Sequence, residues 1–279
     1  MDLTRKQLSI PDTSMKTGLT LLALAAATFA LPASGQDAAE LAKKLANPVA
    51  ALISVPLQFN ADMNLGPDDA GERVVLNIQP VIPTSISEKW NLISRIITPI
   101  IGVDDIFPGS GSVVGLGDMT PTFFFSPKEP TKGGLIWGAG PVFLLPTATD
   151  DLLGADQWGM GPSFLVLKQQ NGWTVGALVN HIERVAGADR LPDISTSFMQ
   201  PFISKGYPSG LTIALNTEST YDWNTDQWTI PVNLTMSQVT KWGTQLLQLT
   251  GGLRYYAEAP EDGPEWGVRL GVTLLYPKK

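Results

Sequence analysis

The sequence predicts an all-β protein, an antiparallel transmembrane β-barrel of about twelve strands with a short N-terminal helix after a signal peptide. Three observations predict this fold. Strand-like segments alternate apolar and polar residues along most of the chain. Charged residues make up only 16% of the 279 residues. Lysines and acidic residues collect at opposite ends of successive segments. A closed barrel with two-faced strands satisfies every backbone group in lipid.

Residues 1–35 are predicted to be a signal peptide that is removed on export. Arg5, Lys6 and Lys16 precede an apolar run from Leu19 to Leu31, and small residues follow it up to Gly35. A basic start, a short apolar stretch and small residues before the break are typical of secretion signals. An N-terminal anchor helix is the weaker alternative, because the apolar run is too short to span a bilayer comfortably.

Residues 36–48 are predicted to form a short periplasmic helix. The stretch DAAELAKKLA from Asp37 to Ala46 contains strong helix formers, Asp37 can cap its first turn, and Asn47-Pro48 ends it. The helix can act as a lid or plug for the barrel. A disordered leader is an equally good interpretation of the same residues.

Residues 49–279 are predicted to form the barrel, and the last strand shows the pattern best. From Trp266 to Tyr276 every second residue is large and apolar, and those between are small or polar except Leu275. About ten such residues cross the apolar layer of a bilayer as a tilted strand. The segment resembles the C-terminal sorting strand of outer-membrane proteins. The barrel-assembly machinery and outer-membrane lipids are therefore expected partners.

The preceding strand-like segments lie near residues 49–63, 73–82, 90–101, 118–126, 135–145, 158–167, 173–182, 194–203, 211–221, 228–236 and 245–256. The segments at 158–167 and 194–203 have no clear inward and outward face. Proline removes a hydrogen bond from a strand ladder, so the prolines within these segments predict bulges or shorter strands. They are Pro56, Pro80, Pro99, Pro121, Pro141, Pro162, Pro201 and Pro231.

The connections alternate between short turns and longer loops, as in bacterial barrels whose short turns are periplasmic. After Lys44 every lysine falls at the short-turn end, whereas the long loops are acidic and contain, for example, Asp68, Asp150 and Asp262. A soluble β-sandwich has no reason to sort charge in this way. The acidic loops are compatible with a cation-attracting mouth. Solvation, or binding of divalent ions among lipid headgroups, is the better interpretation.

Composition excludes several functions. The chain has no cysteine and one histidine, which excludes thiolate chemistry and cysteine metal sites. It also lacks the carboxylate spacing of a calcium loop, so we expect no metal and no cofactor. The glycine-rich stretch PGSGSVVGLG lacks the lysine–threonine pair of a phosphate loop and predicts a mobile outer loop instead. A net charge of −7 argues against nucleic acid as a partner.

Charged residues are costly on a lipid-facing surface, so those on polar strand faces are expected in the lumen. The candidates for a lumen constriction are Arg95, Arg254, Arg269, Asp62, Glu218, Asn77, Asn216 and Asn233. If they cluster, a constriction with a transverse electric field can select polar or charged solutes. A salt-bridge network that closes a small barrel is an equally good interpretation.

The single histidine, His181, is followed by Ser195 and Ser197 on the next segment. An outward-facing Ser–His pair at these positions would resemble that of outer-membrane phospholipases. That family carries its serine two residues after the histidine, where this chain has Glu183. We therefore expect a histidine at the barrel rim, no catalytic residue and no enzyme. A lipase that uses His181 is the remote alternative.

Several stretches together resemble one protein family: NPVAALISVPLQFN, GERVVLNIQPVIP, WNLISRIITPII, DDIFPGSGSVVGLGD, FFFSPK, IWGAGPVFLLPTATDD, QPFI, NTESTYDW and GVRLGVTLLYP. The chain is similar to bacterial outer-membrane transporter-like proteins related to those named for the phenol-degradation (MetA) pathway, some of which carry a neuromedin U label. The resemblance covers nearly all of the exported chain. It implies an outer-membrane barrel with a transport role, and it brings neither a substrate nor catalytic residues.

From these observations we expect a passive channel or transporter for a small molecule in the bacterial outer membrane. The alternative is a closed barrel with a structural or interaction role, whose acidic loops bind ions or partners.

Overall fold

The computed structural model describes residues 31–32, 35–107, 109–187 and 193–276, with side chains from Ala38 onward. Within these ranges, twelve antiparallel strands close into one barrel that a single short helix precedes, which confirms the predicted fold class. The predicted signal peptide lies almost entirely outside the described residues and stays a prediction. Among the described residues, no helix is long and apolar enough to cross a membrane.

The helix α1 spans Gly35–Leu45, after a two-residue extended segment at Leu31–Pro32. The barrel strands follow in chain order: β1 (Ile53–Leu65), β2 (Gly71–Ile78 and Val81–Ser85), β3 (Trp90–Asp104), β4 (Ser112–Leu116 and Thr120–Pro127), β5 (Leu135–Leu144), β6 (Gln157–Gln170), β7 (Trp173–Gly187), β8 (Ser195–Gly206), β9 (Leu211–Thr217 and Ser219–Asp222), β10 (Gln227–Trp242), β11 (Gln245–Glu258) and β12 (Trp266–Tyr276). Each strand pairs with the next, and β12 pairs with β1 along its whole length, which closes the sheet.

Three strands, β2, β4 and β9, are interrupted, and each break faces a proline of a neighbouring strand. In β9 the N–H of Glu218 donates to the carbonyl oxygen of Pro231 at 3.3 Å. A proline returns no N–H to its partner, so the ladder is weakened at that point. The other two breaks show the same kind of hydrogen bond. The N–H of Gln79 donates to the carbonyl oxygen of Pro56, and the N–H of Gly117 donates to that of Pro99, each at 2.9 Å.

The prediction that prolines mark bulges or strand ends is therefore correct at only two positions. Pro80 lies in the break of β2, and Pro231 lies at a register shift between β10 and β11. The prediction is wrong for the prolines that lie inside continuous strand segments, where the break occurs in the neighbouring strand or not at all: Pro56, Pro99, Pro121, Pro141, Pro162 and Pro201.

The glycine-rich stretch after β3 is not the long outer loop that its sequence predicts. Strand β3 continues to Asp104, and β4 begins at Ser112, with Val113 opposite Val103. The β-branched residues Val113 and Val114 pair with β3 and lengthen the hairpin. Only residues 105–111 connect the two strands.

The two ends of the barrel differ as expected. We call the end with residues 86–89, 128–134, 171–172, 207–210 and 243–244 the short-turn end, and the opposite end the long-loop end. The turn at Asn171 and Gly172 has φ angles of 52° and 78°, as a two-residue hairpin turn of type I′ requires. All described lysines after Lys44 lie at or near the short-turn end. The sorting of acidic residues is incomplete, because Glu88 and Glu129 also lie there.

Exposed aromatic side chains surround the barrel at two levels. Trp173, Trp242 and Tyr276 lie near the short-turn end, and Trp158, Trp223, Trp228, Tyr255 and Trp266 lie near the long-loop end. Exposed apolar side chains such as Val175, Leu234 and Met236 lie between these levels. An apolar band between two aromatic girdles is the surface that an outer-membrane barrel presents to lipid.

One part of the inner surface is apolar rather than polar, and we call it the inner apolar wall. Its buried side chains form one cluster: Val49, Ile93, Phe124, Leu165, Leu167 and Leu178, with Phe198 and Phe202 packed against them. Strands β6 and β8 therefore carry apolar residues on both faces, which explains why their segments show no clear phase in the sequence. Gly176 makes room for this packing, because a Cβ there would lie 2.5 Å from the Cβ of Leu167.

Candidate functional site

Helix α1 lies inside the barrel near the short-turn end. Its buried residues Ala38, Leu41 and Ala42 form a cluster with Leu52, Val239 and Leu275. Leu275, the one residue that breaks the alternation of the last strand in the sequence, thus faces inward and covers the helix. The prediction of a short helix here is confirmed. Because it occupies the lumen, the helix narrows the short-turn end of the barrel.

Polar contacts also attach the helix to the barrel wall. The side-chain amide of Gln169 on β6 donates to the carbonyl oxygen of Lys43 at 2.8 Å. The last carbonyl groups of a helix lack partners within the helix, so this contact satisfies one of them. Lys44 pairs with Glu40 one turn earlier at 2.7 Å, on the exposed side of the helix.

Four of the eight predicted lumen residues, Asp62, Glu218, Arg254 and Arg269, meet in a cluster that we call the ion network. Asp62 on β1 accepts hydrogen bonds from Arg73 and Arg254, each at 3.0 Å. Arg254 also donates to the hydroxyl of Tyr256 at 2.9 Å and to the side-chain oxygen of Asn60 at 3.2 Å. The side chain of Asp62 is only 2% exposed and that of Arg254 only 7%. A buried charge pair of this kind is stable only when its hydrogen bonds are made.

The second half of the ion network is centred on Glu218, at the break of β9. Arg269 binds its two carboxylate oxygens with two nitrogen atoms, at 2.9 and 2.7 Å. This fork-like geometry is the strongest form of an arginine–carboxylate contact. Arg254 approaches Glu218 at 3.4 Å, and Arg269 donates to Asn60 at 2.7 Å, so that Asn60 joins the two halves.

Arg95 lies in the lumen without a salt bridge to a carboxylate among the described residues. Its side chain donates to the side-chain oxygen of Gln79 at 3.1 Å, next to the break of β2. It interacts electrostatically with Glu218 without direct contact. Among the described residues, four lumen arginines, Arg73, Arg95, Arg254 and Arg269, thus face two carboxylates, and Arg95 has neither of them in direct contact.

The three predicted asparagines do not join the ion network. Asn233 is fully buried and donates to the side-chain oxygen of Asn216 at 2.8 Å. Asn77 lies opposite Gln58 in the pairing of β1 with β2, on the face that points into the lumen. Sequence reasoning missed Asn60, Arg73, Tyr256 and Gln79. The period of two could have indicated Asn60 and Tyr256, which share the face of Asp62 and Arg254 on their strands.

A cavity of about 320 Å³, the central cavity, lies between the ion network and the residues that follow α1. Lys44, Arg95 and Arg269 line it together with the side-chain amides of Gln58, Gln79 and Gln200. Leu45, Leu52 and Leu178 form an apolar part of its wall. Because the wall combines cationic and apolar groups, the cavity suits a small solute that has an anionic group and an apolar part.

Two further cavities extend the central cavity along α1 to the short-turn end. One of about 200 Å³ shares Leu45, Gln200 and Asn216 with the central cavity. One of about 630 Å³ lies at the turns of β6–β7 and β8–β9 and shares Ala42, Ala46 and Thr212 with the second. The three cavities therefore form a series beside the helix. The helix narrows this end without filling it.

The predicted pair of His181 with a following serine also forms, on the outer face of the barrel. The Nδ1 atom of His181 lies 2.9 Å from the hydroxyl oxygen of Ser197, and its Nε2 atom lies 2.7 Å from a carboxylate oxygen of Glu183. Ser195 donates to the same carboxylate oxygen at 2.9 Å. The described residues contain no group of three or more side chains that could hold a metal ion.

Comparison with solved structures supports an outer-membrane channel fold. The barrel is similar to the COG4313 outer membrane channel from Pseudomonas putida F1, with a TM-score of 0.63 and 14% identity, over 81% of this chain and 96% of that chain. In sequence, no protein-family profile and no curated protein matches the chain.

Two other barrels are similar with lower scores. The KdgM porin, solved with oligogalacturonate, has a TM-score of 0.46 and 10% identity over 80% of this chain and 99% of its own. Outer membrane phospholipase A from Escherichia coli has a TM-score of 0.46 and 12% identity over 88% of this chain and 99% of its own. Scores at this level do not support a functional argument.

The closed barrel, its apolar outer band and its aromatic girdles define the class of the protein. It is a bacterial outer-membrane β-barrel with the fold of an outer-membrane channel.

Proposed function

We propose that the protein is a passive channel for small solutes, and that it belongs to the family its sequence resembles, the transporter-like relatives of the MetA-pathway proteins. The observation that carries the proposal is the series of three adjoining cavities beside α1. A barrel that serves only as a rigid element gains nothing from unfilled polar space, because packed side chains stabilise it better.

The lining of the central cavity supports a proposal about the class of solute. Three cationic side chains, Lys44, Arg95 and Arg269, border it, and no carboxylate of the described residues does. Of these cations, Arg269 is neutralised by Glu218 and Lys44 by Glu40, whereas Arg95 directly contacts, among the described residues, the side-chain amide of Gln79 and no carboxylate. We therefore propose that the favoured solutes are small organic anions with an apolar part, which Leu178 and its neighbours contact.

A closed structural barrel is the second candidate, and two observations favour it. Helix α1 lies in the lumen, and the ion network buries Asp62, Arg254 and Arg269 between β1, β11 and β12. This is what a barrel that is cross-linked from within would show. The two candidates differ in whether solutes cross the membrane.

Conductance of the full-length protein separates the two candidates. Purified protein refolded in planar bilayers is expected to give discrete current steps, and liposomes that contain it are expected to swell in small polar solutes. Empty bilayers and liposomes are the control. If neither steps nor swelling occur with any small solute while the protein is folded, the closed barrel is correct and the channel proposal fails.

Replacing Arg95 by glutamine is expected to reduce the preference for anions. The substitution keeps a hydrogen-bonding side chain next to Gln79 and removes the one cation of the cavity without an anionic partner. The reversal potential in a salt gradient should shift away from the equilibrium potential of the anion and toward that of the cation. The conductance should persist. Lys132→Gln, the same change of charge on an exposed turn, is the matched control and should leave the potential unchanged. An unchanged reversal potential for Arg95→Gln would contradict selection of anions, although not the existence of a channel.

A further inference from the structure

The outer face of β7 and β8 carries a hydrogen-bonded chain that neither transport nor closure of the barrel requires. Ser197 contacts His181 at 2.9 Å, and His181 contacts Glu183 at 2.7 Å. A serine, a histidine and a carboxylate in this order are the parts of a nucleophilic hydrolase site. They lie outside the lumen and belong to none of the lumen cavities described above.

Strand geometry explains why these residues meet. His181 lies directly opposite Ser197, and Glu183 lies directly opposite Ser195, in the antiparallel pairing of β7 with β8. Residues two apart on a strand share a face, so the four side chains form one outward-facing group. Glu183, which takes the place where the phospholipases carry their serine, supplies the carboxylate. The nucleophile comes from the neighbouring strand instead.

For a neutral His181 imidazole, the hydrogen bonds fix the positions of the protons. A carboxylate only accepts, so Nε2 of His181 carries the hydrogen that it donates to Glu183, and Nδ1 has a free lone pair. The indole N–H of Trp223 donates to the hydroxyl oxygen of Ser197 at 2.9 Å. The hydroxyl hydrogen of Ser197 is therefore directed at Nδ1. This is the ground state in which histidine acts as a general base for serine.

The serine lies at the edge of an apolar groove. A cavity of about 320 Å³ is lined by both His181 and Ser197 and by Phe164, Val179 and Met199. Phe164 and Met199 are 43% and 46% exposed and belong to the lipid-facing band. Trp223 and Tyr221, with ring centres 4.9 Å apart, belong to the aromatic girdle next to it. The groove thus extends from the interface toward the middle of the membrane, as an acyl chain does.

We propose that Ser197, His181 and Glu183 form a second site of this protein, which hydrolyses acyl esters of membrane lipids. The acyl chain occupies the apolar groove, and the ester group lies at the interface beside Ser197. Ser197 and His181 are the catalytic residues, and Glu183 is a positioning residue that holds the imidazole and stabilises its charged form. The site does not depend on the proposed channel function.

The reaction needs only the lipid and water. The hydroxyl oxygen of Ser197 bonds to the ester carbonyl carbon while its proton moves to Nδ1 of His181. The bond to the alcohol oxygen breaks, and that oxygen takes the proton from Nδ1, which leaves an acyl-serine. Water then attacks the acyl carbon and transfers a proton through Nδ1 back to Ser197, which releases the fatty acid.

Labelling of full-length protein with a fluorophosphonate tests the nucleophile directly. In detergent micelles we expect covalent modification of Ser197, located by mass spectrometry of peptides, and hydrolysis of p-nitrophenyl laurate. Ser197→Ala should abolish both, and His181→Asn should reduce both at least about a hundredfold. Ser209→Ala, a serine on an exposed turn at the short-turn end, is the matched control and should react like the wild type.

Glu183 tests the positioning role separately. Glu183→Gln is expected to lower kcat about tenfold to a hundredfold with little change of KM, because the imidazolium loses its counter-charge. Glu183→Asp should restore part of kcat. Heat-modifiable migration on gels shows whether each variant is a folded barrel.

The proposal is overturned if folded wild-type protein neither reacts with fluorophosphonate nor hydrolyses the ester in micelles and in liposomes, or if Ser197→Ala is labelled equally. Conductance is measured on the same samples, so loss of one activity leaves the other testable.

Discussion

Deletion of Gly35–Leu45 is expected to raise the single-channel conductance severalfold. The deleted helix packs Ala38, Leu41 and Ala42 against Val239 and Leu275 inside the short-turn end. Without it, the series of cavities of about 630, 200 and 320 Å³ beside α1 gains the volume that the helix occupies. Conductance rises with the cross-section of the narrowest part, so the effect is large if the helix forms that part. Single-channel recording at fixed salt and voltage gives the measurement.

The barrel itself should tolerate this deletion. Its strands pair with one another around the whole circumference, and β12 closes onto β1 without help from α1. Lys43→Gln, which keeps the helix and removes one positive charge beside the passage, is the control and should change conductance much less. Equal conductance of the deletion variant and the wild type would show that the constriction lies elsewhere, with the ion network as the next candidate.

The fold could be predicted because a strand has a period of two and a bilayer imposes different chemistry on its two faces. The inward and outward faces could not be predicted where a strand carries apolar residues on both faces. Strand β6 places Leu165 and Leu167 inside the barrel and Phe164 and Val166 outside, so its sequence shows no alternation. The sequence predicted α1 as a lid or plug, or as a disordered leader, but not the wall residues that it contacts. The position of the helix depends on Leu275 and Val239, residues of the last strands whose inward direction is known only once the barrel is closed.

Four charged members of the ion network could be predicted to lie in the lumen, whereas their pairing could not, and sequence reasoning missed their polar partners Asn60 and Tyr256. Bilayer energetics places Arg254, Arg269, Asp62 and Glu218 in the lumen, because charge is costly on the other face. Their partners depend on register. Asp62 and Arg254 are 192 residues apart in the chain and meet because β11, β12 and β1 are neighbours. Glu218 reaches Arg269 from a strand break that a proline on β10 faces, and no local pattern in the sequence announces such a break.

Replacing Asp62 by asparagine is expected to lower the free energy of unfolding by about 3 kcal/mol, because it removes the nearest counterion of the buried Arg254 and leaves only the longer contact with Glu218. The substitution preserves the shape of the side chain and removes the anion that binds both Arg73 and Arg254. Urea unfolding of the protein in lipid bilayers or detergent, followed by tryptophan fluorescence, gives the midpoint and slope. A lower midpoint with an unchanged slope indicates a loss of stability rather than of compactness.

Two comparisons show whether the loss comes from the ion network. Asp68→Asn makes the same change on an exposed loop residue and should alter the unfolding free energy by less than about 0.5 kcal/mol. Asp62→Asn combined with Arg73→Gln should be less destabilised than the two single changes add up to, since each single change leaves an unpaired partner. Strict additivity, or an Asp62→Asn variant as stable as Asp68→Asn, would mean that water in the lumen already screens these charges. In that case the network contributes to the selection of solutes and not to holding β1, β11 and β12 together.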